Sequence, residues 1–385
     1  MKLVLADDFT GAAELAGIGF RCGFQVEVRR DLDFSSRPQL LVMDVDSRSR
    51  TQNDVSRRMR QVVTAIRPLP LDFLYKKTDS VLRGHVRLEL EHLLEGLDYR
   101  LILLLPANPS RGRVIRNGVY YLQGKPLHET DLGIGRRHPV QSAYVLDLIG
   151  QEGKAPLVLK SPEEPLPPEG IVIGEVASRE DLKKWTKALG PAVLPAGGSE
   201  FFEVILESRR CRPRGVPYPE EVDFRHRKML FLLGSRSGYS QQFLQQLRCM
   251  PYPICLFPGD LSDLSTFSEE TLQRWFTSIV DAFNASRRVI VAIGQSPVKN
   301  RNVPSLLAGF TARLVEKLFH QVQIDELVIE GGATAAAVLN RLHWNRFTPV
   351  QELTLGVVRL KIADKETPYL TVKPGSYSWP SCLWE

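Results

Sequence analysis

The feature that most constrains the fold is the alternation of short apolar segments with amphipathic stretches along the chain of 385 residues. This alternation is typical of α/β proteins, in which helices connect the strands of a mainly parallel sheet. Strands are predicted at residues 2–6, 25–29, 39–45, 72–76, 100–105, 171–173, 229–233, 254–257, 288–293 and 326–329. Helices are predicted near residues 11–22, 51–66, 86–97, 179–189, 239–248, 268–284, 305–320 and 333–342.

Two segments interrupt the alternation. Residues 155–170 carry five prolines, and because proline fixes φ and lacks an amide donor, we predict a loop there. Residues 209–228 carry seven Lys or Arg side chains and three prolines, so we place the domain boundary in this segment. We therefore expect an α/β protein of two domains, residues 1–215 and 216–385, with mainly parallel sheets and an active-site cleft between them.

Composition and charge exclude several classes of protein. Apolar residues make up 43% and charged residues 24% of the chain, which is typical of globular proteins and not of disordered or collagen-like ones. The net charge of +6 is mild, suits acidic small molecules and does not argue for nucleic acid. The basic segment 209–228 lacks interleaved aromatic residues suited to stacking on bases, so a solvated linker is favoured over a nucleic-acid patch.

Sequence features that are missing indicate the cellular compartment in which we expect the protein. No segment approaches the roughly 18 uninterrupted apolar residues of a membrane span, and no leader-like pattern precedes the first predicted strand. The five cysteines are scattered and form no C-x-x-C pair, so neither a disulfide framework nor a zinc site is indicated. We expect a cytoplasmic protein with reduced thiols and no membrane partner.

Two adjacent carboxylates, Asp7 and Asp8, follow the first predicted strand. In open α/β sheets, ligands bind beyond the carboxyl ends of the strands, so these side chains stand where a site is expected. The structural alternative is that one Asp, or Thr10, caps the next helix. We interpret one carboxylate as the cap and the other as functional, with Asp8 as the residue that faces the ligand.

Charged and hydroxyl side chains follow two further strands. Arg48 comes after the third strand, where its guanidinium could place two hydrogen bonds on a ligand carboxylate; a surface ion pair with Asp46 is the alternative. Two cations, a carboxylate and a hydroxyl follow the fourth strand within seven positions: Lys77, Asp79, Ser80 and Arg83. This density suits a polyhydroxylated acid, although a helix N-cap by Asp79 or Ser80 is the alternative.

A fourth polar cluster follows the fifth strand. Arg111 and Arg113 flank Gly112, and His138 lies further along the chain, so this segment either offers contacts to an anion or forms a surface loop. Four polar clusters at consecutive strand ends favour a ligand site over four unrelated loops.

The C-terminal half contains glycine-rich turns between strands and helices. They are Gly234-Ser235-Arg236-Ser237-Gly238, Gly331-Gly332-Ala333-Thr334 and Lys373-Pro374-Gly375. Small side chains let backbone amides and the positive end of a helix approach phosphate closely, and Lys373 could be a phosphate partner. Tight turns without a ligand would have the same sequence pattern.

Several common signatures are missing from the sequence: G-x-x-x-x-G-K-[ST], G-x-G-x-x-G after the first strand, H-R-D, G-x-S-x-G and H-E-x-x-H. Their absence argues against P-loop NTPases, ordinary dinucleotide dehydrogenases, protein kinases, α/β-hydrolases and zincins.

Together, the motifs resemble the four-carbon acid sugar kinase family over essentially the whole chain. They occur in the same order as in that family: A-D-D-F-T-G-A from residue 6, K-T-D-S-V-L-R-G from 77, P-A from 106, G-R from 112, N-G from 117, G-S-R-S from 234, G-G-A-T from 331 and K-P-G from 373. The resemblance implies an N-terminal domain that binds a sugar acid and a C-terminal domain that binds a nucleotide. It further implies an ATP-dependent kinase that phosphorylates the terminal hydroxyl of threonate, erythronate or 3-oxo-tetronate, and a homodimer.

The resemblance also implies the residues of the two sites. The substrate-binding set is Asp8, Arg48, Lys77, Thr78, Asp79, Ser80 and Arg83. The nucleotide contacts are Ser235, Ser237, Gly331, Gly332, Ala333, Thr334 and Gly375. The sequence departs from the family pattern at two positions of the nucleotide turn. Ala333 stands where the family often has Glu, and Ala335 follows the threonine.

In the expected reaction, the γ-phosphoryl group of ATP passes in line to the sugar acid, and positioning with charge neutralisation dominates catalysis. Arg48 and Lys77 would hold the substrate carboxylate or the transferring phosphate, and either Asp8 or Asp79 would accept the hydroxyl proton, with Asp8 favoured. Mg²⁺ would bridge phosphate oxygens, and no dedicated set of metal ligands is visible. The alternative, motivated by Ala333, is a non-catalytic sensor of a sugar acid or nucleotide.

Overall fold

The computed structural model describes residues 1–134, 140–209, 222–234, 238–293, 303–375 and 377–384. It divides into two compact units, Met1–Val216 and Pro217–Glu385. Two predicted nucleotide contacts, Ser235 and Ser237, lie outside the described residues, as does His138.

The first unit is built on a parallel sheet. Its strands are β1 Lys2–Ala6, β2 Val26–Arg29, β3 Leu40–Asp44, β4 Phe73–Lys77, β5 Leu101–Leu105, β6 Arg113–Arg116, β7 Val119–Leu122, β8 Lys125–Pro126, β9 Leu157–Lys160, β10 Gly170–Gly174 and β11 Val193–Gly197. Its helices are α1 Phe9–Arg21, α2 Gln52–Ile66, α3 Val86–Gly96, α4 Asp131–Ile134, α5 Val145–Ile149, α6 Arg179–Thr186 and α7 Ser199–Ser208.

The strand order in this sheet is β2-β3-β1-β4-β11-β5-β10-β9, and the pairs are parallel. The sequence of β5, L-I-L-L-L, is buried at every position, as expected for a parallel strand whose two faces are covered. The order reverses at β1, with β2 and β3 on one side and β4 on the other. Such a reversal is where ligands bind in open α/β sheets.

One prediction for this unit is wrong. Residues 155–170 were expected to form a loop, yet Leu157–Lys160 forms strand β9. This short strand pairs with β10 alone, at the edge of the sheet, and the prolines lie outside it. Proline is tolerated beside an edge strand because only one side of the strand needs hydrogen-bond partners.

The second unit is a mixed sheet covered by helices. Its strands are β12 Met229–Leu233, β13 Ile254–Leu256, β14 Arg288–Ala292, β15 Glu326–Glu330, β16 Arg346–Thr354, β17 Val357–Ile362 and β18 Tyr369–Lys373. Its helices are α8 Gly238–Leu247, α9 Glu269–Ala285, α10 Val303–Gln321 and α11 Gly332–Arg341. The order is β13-β14-β12-β15-β18-β17-β16, in which the first five strands are parallel and β17 and β16 are antiparallel.

The predicted α/β class with mainly parallel sheets is confirmed. Most predicted strands and helices lie within a few residues of the observed ones. Strands β6 to β8, β11 and β16 to β18 and helices α4, α5 and α7 were missed. In the part of the chain that the structure describes, no helix is both long and apolar enough to cross a membrane.

Gly197 provides a test of how tightly β11 and β5 are packed. Its φ is +145°, and a Cβ at this position would lie 2.0 Å from the backbone oxygen of Leu105. Gly197→Ala should therefore destabilise the protein by about 2–4 kcal/mol, measured as the free energy of unfolding in urea.

Gly190→Ala is the matched control for this substitution. A Cβ at the exposed Gly190 meets nothing within 4 Å, so the free energy of unfolding should stay within about 0.5 kcal/mol of the wild-type value. Equal stability of the two variants would contradict the packing described for β11.

Candidate functional site

Three polar loops of the first unit meet at one edge of its sheet. Strand β1 pairs in register with β3 and β4, so that Ala6 lies opposite Asp44 on one side and Lys77 on the other. Because all three strands are parallel, the residues that follow them leave the sheet at the same edge. The carboxylates after β1, Arg48 after β3 and the segment after β4 are thereby brought together, as the sequence predicted.

The guanidinium of Arg48 lies at the centre of this site. It donates two hydrogen bonds to Asp7, from Nε to Oδ2 at 2.7 Å and from Nη2 to Oδ1 at 2.8 Å. Its Nη1 donates to Oδ2 of Asp8 at 2.5 Å and lies 3.6 Å from Oδ1 of Asp79. Arg48 therefore joins three carboxylates, and the two-pronged face expected to bind a ligand carboxylate is occupied by Asp7.

The two adjacent carboxylates have different surroundings. Burial alone would raise the pKa of Asp7, but the charge and hydrogen bonds of Arg48, with Lys76 and Lys77, outweigh it and hold that pKa below its ordinary value. Asp8 caps helix α1, since its Oδ1 accepts a hydrogen bond from the Gly11 amide at 2.8 Å. The prediction that the other carboxylate caps the helix is wrong, because Asp8 is itself the cap. That Asp8 also faces the ligand stays a prediction. Asp8 is also the more exposed of the two, with 13% of its side chain accessible against 3% for Asp7.

Asp79 is held by Arg83 four residues further on. Its Oδ2 accepts hydrogen bonds from the Arg83 amide at 3.0 Å and Nε at 2.8 Å, and its Oδ1 accepts one from Nη2 at 2.7 Å. Burial opposes ionisation of Asp79, but Arg83 and Arg48 outweigh it and hold its pKa well below the ordinary value. A carboxylate so strongly stabilised as an anion is a weak proton acceptor, which makes Asp8 the better candidate base.

Lys77 and Thr78 leave polar groups unsatisfied at the same edge. Lys77 is 4% exposed, and its ammonium donates to the Thr78 carbonyl oxygen at 2.8 Å. Within the described residues, no carboxylate oxygen lies within 4 Å of this ammonium, and the buried Thr78 hydroxyl has no hydrogen-bond partner. Buried polar groups are normally paired, so an anionic ligand that also carries hydroxyl groups would satisfy both side chains.

Ser80 is positioned by the small antiparallel sheet of β6, β7 and β8. Its hydroxyl accepts a hydrogen bond from Nη1 of Arg113, and its carbonyl oxygen accepts one from the Tyr120 hydroxyl at 2.6 Å. The sequence left Arg113 open between an anion contact and a surface loop; the structure places it against Ser80, with 8% of its surface exposed.

Sequence reasoning missed the charged pairs that lie beneath the site. Lys76 pairs with Glu89 of α3 at 2.6 Å, and Glu89 also accepts a hydrogen bond from the Ser47 hydroxyl at 2.9 Å. Arg30 pairs with Asp44, the last residue of β3, at 3.0 Å. An alternating pattern does not mark these partners, because each one comes from an element distant in the sequence.

The glycine turns of the second unit also share one sheet edge. Strand β15 pairs in register with β12 and β18, so that Glu330 lies opposite Leu233 and Lys373. The next residue of each strand begins a turn, and these three residues are Gly234, Gly331 and Pro374.

The turn before α11 is shaped for close approach to its backbone. Gly331 has a φ of +98°, and α11 begins without a side-chain cap or an acidic residue in its first turn. A Cβ on Gly234 would lie 2.0 Å from Oγ1 of Thr334, so only glycine fits beside this turn. Amide groups at a helix start that lacks a cap suit the phosphates of a nucleotide.

Lys373 does not occupy the position expected of a phosphate partner. It is fully buried, and its ammonium pairs with Oε2 of Glu330 at 2.8 Å. Burial lowers the pKa of Lys373, and the Glu330 charge only partly offsets this effect. Among the described residues, no group of three or more His, Cys, Asp or Glu side chains could hold a metal ion.

The sequence matches known proteins over both units. Residues 2–201 match the family described as a sugar-binding N-terminal domain, and residues 230–377 match the family described as a nucleotide-binding C-terminal domain. The chain is 28% identical to a D-threonate kinase of Bordetella bronchiseptica over 202 residues. This aligned segment covers 49% of each protein. The chain thus matches about half the length of that relative.

Two other proteins match over nearly their whole length. A 3-oxo-tetronate kinase of Actinobacillus succinogenes is 23% identical over 407 residues, which is 97% of this chain and 96% of that protein. A solved structure from Haemophilus influenzae, of the family called DUF1537, superposes with a TM-score of 0.66 at 17% identity and covers 99% of this chain and 98% of that one. At this identity, the structural likeness shows the fold alone.

The carboxyl group of Asp44 provides a pH-dependent test of the site. Burial raises its pKa from 3.8 to about 6, although Arg30 opposes the shift. The folded state therefore binds a proton that the unfolded chain releases, so the stability from this group is greatest below about pH 4 and falls as pH rises through about 6. In Asp44→Asn, the urea midpoint should decline less between about pH 5 and pH 7 than in the wild type.

Asp98→Asn, which replaces an exposed carboxylate, should keep the wild-type pH profile of unfolding. An Asp44→Asn profile that overlays the wild-type profile would show that Asp44 has no raised pKa.

Proposed function

The chain belongs to the four-carbon acid sugar kinase family, and from this premise we propose that it transfers the γ-phosphoryl group of ATP to the terminal hydroxyl of a four-carbon sugar acid. Threonate, erythronate and 3-oxo-tetronate are the candidate acids, and the 4-phosphate is the product. The observation that carries the proposal is the buried ammonium of Lys77 beside the unpartnered hydroxyl of Thr78.

The ligand proposed for the first unit follows from the charges of its site. Arg48 is already paired with Asp7 and Asp8, and Arg83 is paired with Asp79. Lys77 is the buried cation that remains for the carboxylate or the transferring phosphate, and a charged hydrogen bond of this kind stabilises binding by about 1.5–3 kcal/mol. The Thr78 hydroxyl can donate to, or accept from, a substrate hydroxyl.

Asp8 is the proposed general base. Its carboxylate is anchored by Gly11 and Arg48, which fixes its orientation, and it remains partly accessible. It would accept the proton of the attacking hydroxyl, while Arg48 keeps Asp7 ionised and holds the Asp8 carboxylate in place. Asp79 would act by holding Arg83, whose side chain is 43% exposed.

The second unit is the proposed nucleotide site. The amides of Gly332, Ala333 and Thr334 at the start of α11 would hold phosphate oxygens, and Gly375 would lie beside them. ATP supplies the phosphoryl group, and Mg²⁺ neutralises phosphate charge during transfer. Because the described residues hold no acidic cluster for a metal, Mg²⁺ would be bound mainly by phosphate and water.

One prediction from the proposed function concerns turnover. With ATP and Mg²⁺, a coupled assay of ADP release should respond to at least one acid in a panel of threonate, erythronate and 3-oxo-tetronate isomers. Asp8→Asn should lower kcat by roughly 10²–10⁴-fold, because Asn cannot accept the proton. Asn is an equally good helix cap, so the circular dichroism spectrum and the unfolding midpoint should change little.

Two outcomes would contradict these assignments. A near-normal kcat in Asp8→Asn would remove Asp8 as the base. If the folded wild type bound an acid of the panel but released no ADP with any of them, the protein would be a sensor and not a kinase.

The second prediction concerns substrate binding. Lys77→Met removes the buried ammonium, so the KM for the sugar acid should rise by roughly 10–100-fold while the KM for ATP changes little. Lys154→Met is the control, since Lys154 is 84% exposed and pairs with Glu95 on the surface. An unchanged KM for the acid in Lys77→Met would show that Lys77 does not hold the substrate carboxylate.

A further inference from the structure

A buried ion pair lies directly behind the glycine turns of the second unit. Glu330 ends β15 and Lys373 ends β18, both are fully buried, and their charged groups are 2.8 Å apart. Oε2 of Glu330 also accepts a hydrogen bond from Nε1 of Trp379 at 3.0 Å, and its Oε1 accepts one from the Ser240 hydroxyl. The Lys373 ammonium lies 4.7 Å from the centre of the Trp379 ring.

This pair connects the loops that were predicted to contact the nucleotide. Glu330 immediately precedes Gly331, and the Gly331 amide donates to the carbonyl oxygen of Lys373 at 3.1 Å. The Lys373 ammonium donates to the carbonyl oxygen of Pro374 at 3.2 Å. A backbone hydrogen bond therefore holds the turn before α11 against the end of β18, and the Lys373 side chain holds the loop that follows β18.

Ser240 adds the first turn of helix α8 to this network. It lies in the first turn of α8, and its hydroxyl contacts Glu330 and the carbonyl oxygen of Gly375, the latter at 3.3 Å. One carboxylate thus connects the start of α8, the start of α11 and the end of β18.

Stability alone does not explain an ion pair in this position. The free-energy cost of removing two charges from water offsets much of the attraction between them. Proteins in which a buried ion pair is replaced by apolar side chains are often as stable as the original. Strand β15 carries a second buried pair at its opposite end, where Glu326 contacts Arg359 at 2.5 Å. That pair lies away from the glycine turns and is a natural control within the same strand.

We infer that Glu330 and Lys373 are positioning residues for the nucleotide, which set the relative placement of the turn before α11, the loop that begins at Pro374 and the first turn of α8. The inference rests on the proposed function, because it requires that the second unit binds ATP. Neither side chain needs to touch the nucleotide. Their role is to hold the amides of the α11 turn and the Gly375 loop where phosphate oxygens would be bound.

The test compares two double variants, and each of them removes the buried ion pair at one end of β15. Glu330→Gln with Lys373→Met removes both charges, and the Gln amide can still accept a hydrogen bond from Trp379 and donate one to Ser240. Glu326→Gln with Arg359→Met removes both charges of the pair at the other end, where Arg227 also lies 3.3 Å from Glu326. Calorimetry with ADP and with a non-hydrolysable ATP analogue, in the presence of Mg²⁺, gives the dissociation constants. Steady-state assays give KM for ATP and for the sugar acid separately.

The Glu330/Lys373 double variant should bind the nucleotide at least about tenfold more weakly, with a matching rise in KM for ATP and an unchanged KM for the acid. The Glu326/Arg359 variant should keep the wild-type nucleotide affinity. The single variant Lys373→Met should unfold at lower urea than the double variant, because it leaves the Glu330 charge buried without its partner.

The outcomes separate the inference from the function on which it rests. Wild-type protein that binds neither ADP nor the ATP analogue would overturn the proposed nucleotide site and the inference with it. If the Glu330/Lys373 double variant bound the nucleotide with the wild-type dissociation constant, the inference alone would be overturned. Equal losses of affinity in both double variants would also overturn it, because the effect would then follow from lost stability.

Discussion

The parallel, in-register pairing of the central strands is the constraint on which both candidate sites depend. Because β3, β1 and β4 end level with one another, the loops after them must share one edge of the sheet. The same relation holds for β12, β15 and β18 in the second unit. Side chains separated by tens of residues in sequence are therefore neighbours, and the charges that collect at each edge must find partners there.

The buried lysines at the two sheet edges have different partners. Lys77 and Lys373 are each the last residue of a central strand, and each is buried. Lys373 faces a carboxylate, so its charge is balanced within the protein. Among the described residues, the Lys77 ammonium donates to a backbone oxygen and has no carboxylate oxygen within 4 Å, while Arg48 organises the three carboxylates nearby. We therefore propose that the first edge retains a cation for a ligand and that the second edge uses its cation to hold backbone loops.

Sequence reasoning identified β1 to β5, β10, β12 to β15 and most of the helices between them, because parallel strands buried on both faces appear as apolar runs and the helices have an apolar face. It missed β11, whose run contains Pro195 and ends in Gly197, and it missed β16 to β18. Strand β16 begins with alternating exposed and buried residues and lacks an apolar run. It also assigned residues 157–160 to a loop, since prolines on both sides obscured a four-residue edge strand. Arg48 and the loop after β4 were predicted for the site, but the buried partners Glu89, Arg30 and Tyr120 were not, because each approaches from another element.

By itself, the sequence determined the fold class, the family resemblance and the places where polar side chains follow strands. These features are local, since they depend on periodicity and on the order of short motifs. The tertiary structure decided which charges are paired. It placed Arg48 on Asp7 and Asp8, made Asp8 the cap of α1, and buried Lys373 against Glu330. The cost of burying a charge depends on its three-dimensional neighbours, so the partner of each ionised group could be identified only after the strands had been placed side by side.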